Sequence, residues 1–127
     1  MNKVQLVGNI VRDPQYANTK KNGVPVCGYT IAVQRRYKDE NGEYPADFIN
    51  CVSWRSAADF VHQHFIKGDP IGVTGELQTR KYTTKNGDER HITEVVTETV
   101  EFVGRREKKT AQDDRGFEEI DDPDLPF

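Results

Sequence analysis

SAADFVHQHFIKG, residues 56–68, is the one stretch of this sequence in which apolar side chains recur at the spacing of a helix. Ser56 is the predicted N-cap, because its hydroxyl would accept a hydrogen bond from a free amide of the first turn. Gly68 stands where a C-terminal cap is expected. The positions that follow Ser56 at helical spacing are Ala57, Phe60, Val61, His64 and Phe65. A single short helix is therefore predicted here.

Strand signals flank this helix on both sides. Three extended segments precede it and two follow it: Val4–Ile10, Val24–Tyr37, Phe48–Trp54, Ile71–Tyr82 and His91–Val103. Asn22-Gly23 predicts a tight turn before the second strand, and Asn86-Gly87 predicts a hairpin between the last two. Five strands with one helix between the third and fourth is the element order of an all-β OB-fold, a small Greek-key barrel whose exposed face binds oligomers. Other small barrels fit this order nearly as well.

Charge is distributed unevenly along the 127 residues, whose formal net charge is −3. Residues 1–104 carry 13 Lys and Arg against 13 Asp and Glu, whereas residues 112–127 carry one basic residue against seven acidic ones. The body is therefore neutral, and the negative average does not exclude a nucleic-acid partner for it.

The length of the body is sufficient for a folded domain. A body of about 100 residues can bury roughly two-thirds of its unfolded surface, which is enough for one core.

The C-terminal segment differs from the body in composition. Residues 105–122 offer only Ala111, Phe117 and Ile120 as apolar side chains, so we expect disorder and assign 105–120 as a flexible linker. Residues 121–127 place apolar side chains behind acidic ones, which predicts an acidic tip that another protein recognises. The tip residues are Asp121, Asp122, Asp124, Leu125, Pro126 and Phe127.

Cysteine spacing and hydropathy restrict the cellular setting. Cys27 and Cys51 lie within apolar stretches and in no C-x-x-C motif, which favours two buried reduced thiols. The N-terminus lacks the apolar core of a signal peptide, and no stretch approaches the 18 or so apolar residues of a membrane span. We expect a cytoplasmic, nucleoid-associated protein.

Aromatic and basic residues alternate within the body. Tyr37 lies in Arg35-Arg36-Tyr37-Lys38, Trp54 precedes Arg55, and Tyr82 follows Arg80-Lys81. Single-stranded nucleic acid is held by such a pattern, in which bases stack on rings beside a positive groove. Phe48 and Trp54 share one face of a strand and lie roughly 20 Å apart. The alternation alone favours a core-facing strand for these two rings, and a base-stacking role is the alternative.

Other functional classes have weaker support. His62, His64 and His91 have no Cys or carboxylate at ligand spacing, so surface histidines are expected and neither a metal site nor a cofactor is predicted. Phosphate-cradling glycine loops and nucleophile motifs are absent from the sequence. Binding without catalysis is therefore predicted. An OB-fold adaptor that meets partner proteins or RNA is the alternative to a DNA-binding protein.

The sequence resembles the bacterial and phage single-stranded DNA-binding proteins over nearly its whole length. Residues 2–10, followed by Asp13-Pro14, are similar to the family's opening strand and turn, and Lys67-Gly68 with residues 73–82 resembles its fourth strand and long hairpin. Residues 93–96 resemble its fifth strand, and the acidic ending in Pro126-Phe127 resembles its C-terminal signature.

This resemblance implies a function and a set of residues. The family's stacking aromatics fall on Tyr37, Phe48, Trp54 and Tyr82, which implies that Phe48 and Trp54 are platforms for bases. The basic residues nearest these rings are the expected phosphate contacts: Lys3, Arg35, Arg36, Arg55, Arg80, Lys81 and Lys85. Sequence-nonspecific binding that protects single-stranded DNA follows, with recruitment of replication, recombination and repair enzymes through the acidic tip. The resemblance also implies a homotetramer, although Pro70 and Gly72 replace residues that commonly pack the subunits together.

Overall fold

The computed structural model describes residues 1–104 of the chain. The predicted linker and acidic tip, residues 105–127, lie outside the described residues. The elements are β1 (Val4–Ile10), β2 (Gln15–Asn18), β3 (Pro25–Gln34), β4 (Ala46–Trp54), α1 (Ser56–His64), β5 (Pro70–Thr83) and β6 (Glu89–Glu101). The five predicted strands and the single helix are all present within this range.

Five of the strands close into a barrel. Neighbours pair in the order β1, β5, β6, β4, β3 and back to β1, with β4 and β6 parallel and the other pairs antiparallel. Closure brings β1 against β3 at Gly8, where a Cβ atom would lie 2.5 Å from the carbonyl oxygen of Ala32. This close approach requires glycine. The predicted OB-type barrel is confirmed.

Strand β2 is an addition to the predicted elements. Its four residues pair with β3 in antiparallel register, with Gln15 opposite Gly28 and Asn18 opposite Pro25. The segment shows no alternation of apolar and polar residues, which is the pattern that predicts a half-buried strand. Strand β3 is also shorter than predicted, because residues 35–37 belong to the loop that follows it.

Helix α1 begins and ends differently from the sequence prediction. Arg55 occupies the N-cap with φ 58° and ψ −126°, and no side chain caps the helix, so the predicted Ser56 cap is wrong. The C-cap is Phe65, which is extended and whose amide donates to the Val61 carbonyl. Gly68, with φ 93°, instead turns the chain towards β1, where its amide donates to the Ile10 carbonyl over 2.7 Å.

The core fills the barrel and the space beneath α1. Aliphatic side chains from β1, β3, β5, β6 and the helix form most of it, including Ile10, Ile31, Val61, Ile71 and Val95. One polar chain of hydroxyls crosses this interior from β3 to β4 to β6: Tyr29 Oη lies 2.9 Å from Ser53 Oγ, which lies 2.7 Å from Thr97 Oγ1. Pairing these groups with one another avoids the cost of burying them unsatisfied.

Both cysteines are buried and free, as predicted. Burial raises the pKa of Cys27 to about 11 and that of Cys51 to about 12, because the low-dielectric interior disfavours the thiolate. Both thiols are therefore protonated and unreactive at neutral pH.

Three phenylalanines and a histidine pack together at the end of the helix. Phe60 and Phe65 lie 5.8 Å apart between ring centroids, and Phe102, just after β6, lies 5.2 Å from each of them. The His64 ring contacts Phe60 and Phe102 as well. We call Phe60, His64, Phe65 and Phe102 the helix cluster. Through Phe102, this cluster packs the segment after β6 against the end of α1.

Candidate nucleic-acid interface

The two faces of β4 point in opposite directions from the barrel wall. Ile49, Cys51 and Ser53 face the interior, whereas Phe48 is 69% exposed and Trp54 is 42% exposed on the outer face. The alternation in the sequence is therefore real, but the core-facing reading of Phe48 and Trp54 is wrong. Both rings lie on the surface.

The residues of β3 that lie beside these rings have small side chains. Ala32 lies opposite Phe48, Thr30 opposite Asn50, and Gly28 opposite Val52. Small side chains on β3 leave the larger rings of β4 standing above the sheet. A Cβ atom on Gly28 would meet nothing within 4 Å, so the space over this part of the sheet is open.

The outer face continues from β4 onto β6 and β5. Parallel pairing places Val96 beside Val52, and the β5–β6 register sets Arg80 opposite Ile92 and Tyr82 opposite Arg90. Alternate residues of a strand share one face, so Arg80 and Tyr82 lie on the same outer face as the β4 rings. Lys81 lies between them and faces the other side of the hairpin. We call the outer face of β4, β5 and β6 the outer wall.

A cleft of about 420 Å³ opens in the middle of this wall. It runs from the loop after β1, across β3 and β4, to the base of the β5–β6 hairpin. Its polar lining includes Arg12, Gln15, Thr30, Asn50, Arg80 and Glu94. Two carboxylates, Asp13 and Glu94, line the cleft together with the two arginines. The cleft therefore opens on the same face as the exposed aromatic rings of β4 and β5.

Tyr37 lies beyond the end of β3 and is 73% exposed. The Arg36 guanidinium carbon lies 5.9 Å from its ring centroid, which is within cation–π distance. Tyr82 is 46% exposed on the hairpin. All four rings predicted to stack on bases thus lie at the surface, and none of them packs against another aromatic ring within residues 1–104.

Several of the predicted phosphate contacts hold acidic partners in this structure. Lys3 pairs with Glu98 at 2.7 Å, and Arg80 with Glu94 at 2.9 Å. Lys81 lies 4.0 Å from a Glu89 carboxylate oxygen. The Lys3 and Lys81 pairs are exposed at both ends, so each contributes only about 0–1 kcal/mol. The Arg80 pair differs, because the Glu94 side chain is only 13% exposed.

The Arg35–Asp47 pair has the best geometry of these contacts. Arg35 donates from Nε to both carboxylate oxygens, at 3.0 and 3.2 Å, and from Nη2 to Oδ1 at 2.8 Å. These hydrogen bonds lower the pKa of Asp47 below its ordinary value. Arg36, Arg55 and Lys85, by contrast, form no ion pair with any residue between 1 and 104.

Comparison with known proteins identifies the family. Residues 1–103 match the model of the Single-strand binding protein family. The chain belongs to this family. Membership confirms the resemblance seen in the sequence and places the chain among binding proteins and not among enzymes.

Three relatives show the extent of the similarity. A single-stranded DNA-binding protein of Bacillus cereus is 45% identical over 106 residues, which cover 84% of this chain and 62% of that protein. Single-stranded DNA-binding protein 1 of Staphylococcus aureus (strain COL) is 43% identical over 116 residues, or 91% of this chain and 67% of that one. Single-stranded DNA-binding protein 3 of Clostridium acetobutylicum is 37% identical over 145 positions that cover both chains completely. The chain spans about three-fifths of the length of its Bacillus relatives.

Three residues on or beside this face were not predicted from the sequence. Arg90 lies opposite Tyr82, Arg12 lines the cleft, and Tyr44 is 47% exposed in the loop before β4. The Asn86-Gly87 turn was the signal for Arg90, because a tight turn fixes which residues of a hairpin face each other. Arg12 is brought to the cleft by long-range packing, for which the sequence carries no signal.

The histidines lie at the surface, as expected, and two of them contact other rings. His62 stacks on Tyr16 at 4.2 Å between centroids, and His64 belongs to the helix cluster. No group of three or more His, Cys, Asp or Glu suited to a metal ion occurs within the described 104 residues. No helix in this part of the chain is long and apolar enough to cross a membrane.

Proposed function

We propose that this protein binds single-stranded DNA without sequence specificity and thereby protects it. The observation that carries the proposal is the outer wall of β4, β5 and β6, where exposed rings that contact no other ring within residues 1–104 share a face with a cleft lined by two arginines and two carboxylates. Bases have a stacking face whatever their identity, so this arrangement favours unpaired strands over particular sequences. The names of the relatives support the same ligand.

Base stacking is assigned to Tyr37, Phe48, Trp54 and Tyr82. Each contact of this kind contributes about 1–3 kcal/mol by alanine substitution, so four rings supply ample affinity. Duplex DNA would bind poorly, because its bases are already stacked in the helix.

Phosphate binding is assigned to the seven predicted cations. Arg80 shares the face of the β4 rings, and Arg55 directly follows Trp54. The other five are assigned from the sequence: Arg35 and Arg36 follow β3, Lys3 precedes β1, Lys81 faces the other side of the hairpin, and Lys85 lies in its turn. Each phosphate neutralised releases counterions, with a slope of about −0.7 in log affinity against log salt for single strands. Binding should therefore weaken steeply as salt rises.

The acidic tip, residues 121–127, is proposed to recruit replication, recombination and repair enzymes. Phe127 would fill an apolar pocket while its acidic neighbours meet a basic rim on the partner. When no DNA is bound, the seven carboxylates of residues 112–127 would occupy the basic residues of the body and so compete with incoming DNA.

A deletion tests both roles of the tail. Deleting residues 118–127 should abolish binding of such an enzyme and leave DNA affinity unchanged or higher. Weaker DNA binding would contradict the competition.

Assembly into a homotetramer is part of the same proposal. Val7 is an exposed apolar side chain on the outer face of β1, opposite Gly72, and a second copy would cover it. Gly72 leaves room for Val103, whose methyl group would clash with a Cβ at this position. Native mass spectrometry of the full chain tests this assembly: a tetramer supports it and a monomer contradicts it.

The decisive test of the function is a competition titration. A labelled dT oligomer is bound at two salt concentrations and then challenged with unlabelled single-stranded DNA, duplex DNA and RNA. Single-stranded DNA should displace the label at the lowest concentration, and the affinity should fall at the higher salt. Equal displacement by duplex DNA, or preferential displacement by RNA, would contradict the proposal.

A further inference from the structure

The loop between β3 and β4 is held in a defined shape by its own hydrogen bonds. The Arg35 amide donates to the Pro45 carbonyl over 2.8 Å, and the Asp39 amide donates to the Glu43 carbonyl over 2.7 Å. The Asp39 carboxylate also accepts bonds from the amides of Asn41 and Glu43. Side chains carried on this loop are therefore preorganised, which reduces the entropy lost on binding.

Tyr44 continues the outer face of β4. The residue before a proline is confined to an extended conformation, so Pro45 keeps Tyr44 in line with the strand. Exposure alternates without interruption along this run: Tyr44, Ala46, Phe48 and Asn50 are exposed, and the residues between them are partly buried. Tyr44 thus occupies the same row as Phe48, about 13 Å before it at 3.3 Å per residue.

The Tyr44 ring is available to a ligand. It is 47% exposed and packs against no other aromatic ring within residues 1–104. The Lys38 ammonium lies 5.8 Å from its centroid, as the Arg36 guanidinium lies 5.9 Å from that of Tyr37. Each tyrosine of the loop therefore carries a cation beside it, which is the combination that holds a base and its phosphate together.

We propose that Tyr44 is a fifth stacking platform, which extends the path of single-stranded DNA from Phe48 onto the loop between β3 and β4. A base stacks on the open side of the Tyr44 ring, and Lys38 meets the adjoining phosphate. This inference rests on the proposed binding of single-stranded DNA and adds a binding residue and a direction to the bound strand.

Affinity measurements with dT oligomers of increasing length test the inference. Tyr44→Ala should weaken the binding of long oligomers by about fivefold to a hundredfold, whereas Tyr44→Phe should stay within about twofold of the wild type. Oligomers too short to reach the loop should show no loss. Ile66→Ala is the matched control, because Ile66 is also 47% exposed but follows α1. Thermal unfolding should be unchanged in all three variants.

Photo-crosslinking supplies a second readout. A dT oligomer that carries 5-iododeoxyuridine should form an adduct at Tyr44 that mass spectrometry of the digested complex can locate. If the wild-type protein fails to bind the oligomer, the proposed function is wrong. If it binds, but Tyr44→Ala behaves like Ile66→Ala at every length and no adduct forms at Tyr44, only the fifth platform is wrong.

Discussion

The helix cluster and the outer wall both contain partly exposed aromatic rings, yet the two groups are built differently. Phe102 of the helix cluster is 44% exposed, close to the values of Trp54 and Tyr82. Phe102 nevertheless contacts three other rings, whereas Trp54 and Tyr82 contact none among residues 1–104. Exposure alone does not distinguish the two groups. An aromatic side chain that packs against other rings stabilises the fold, and one that stands alone among cations is available to bind.

The largest effect is expected in the helix cluster. Phe65→Ala removes a ring that is only 3% exposed, and its cavity should lower the free energy of unfolding by about 3–5 kcal/mol. Chemical denaturation measures this loss. Phe65→Leu keeps most of the volume and should lose much less. Full stability in Phe65→Ala would mean that these rings are not structural.

The wall should respond in the opposite way. Trp54→Ala combined with Tyr82→Ala should reduce the free energy of binding to single-stranded DNA by at least about 2 kcal/mol, because each stacking contact contributes at least about 1 kcal/mol. The midpoint of thermal unfolding should change little, because neither ring is buried. A severe loss of stability in this variant would show instead that the two rings support the core.

Arg55 joins the two regions, since it lies between Trp54 and the first residue of α1. Its φ of 58° and ψ of −126° match a turn position that glycine normally fills, at a cost of about 1–3 kcal/mol for another residue. Arg55→Gly should therefore raise the free energy of unfolding by about 1 kcal/mol, after subtraction of the extra entropy of an unfolded glycine.

The DNA affinity and the stability of Arg55→Gly should change in opposite directions. Arg55→Gly removes a proposed phosphate contact, so the affinity for single-stranded DNA should fall while the protein becomes more stable. Arg55→Ala serves as the control, because it removes the charge and retains the strained backbone. Equal stability of the glycine and alanine variants would show that the backbone strain is negligible.

The smallest effect is expected from the Arg35–Asp47 ion pair, which lies where β3 ends and β4 begins. Asp47→Asn frees Arg35 from its carboxylate partner, so the affinity for single-stranded DNA should rise a few-fold. The slope of log affinity against log salt should become steeper by up to about 0.7. Glu43→Gln removes the same charge from the neighbouring loop, where Glu43 pairs with no described cation. Identical slopes for the two variants would exclude Arg35 as a phosphate contact.

The barrel was largely predictable because its elements leave local signals. Strand alternation, the helical spacing of residues 56–65 and the Asn86-Gly87 turn depend on neighbouring residues alone. Strand β2 was missed because Gln15–Asn18 is too short and too polar to alternate. The cap of α1 was misassigned because Ser56 suits a cap by its side chain, whereas the positive φ of Arg55 is imposed by the surrounding turn.

The binding wall was predictable only in part. Phe48 and Val52 on one side of β4, with Ile49 and Cys51 on the other, make both faces apolar. The pattern could therefore show that the strand has two faces without showing which one faces the core. Barrel closure through β1 and β3, and the parallel pairing of β4 with β6, decide that question. These contacts join residues distant in the sequence.

The emission of Trp54 tests the central claim most directly. Trp54 is the only tryptophan in the chain, so its fluorescence reports on one position of the wall. Titration with a dT oligomer should quench this emission, with saturation at the same DNA concentration that a label on the oligomer reports, and duplex DNA should leave it unchanged. Saturated binding of the labelled oligomer with no change in Trp54 emission would contradict base stacking on this wall.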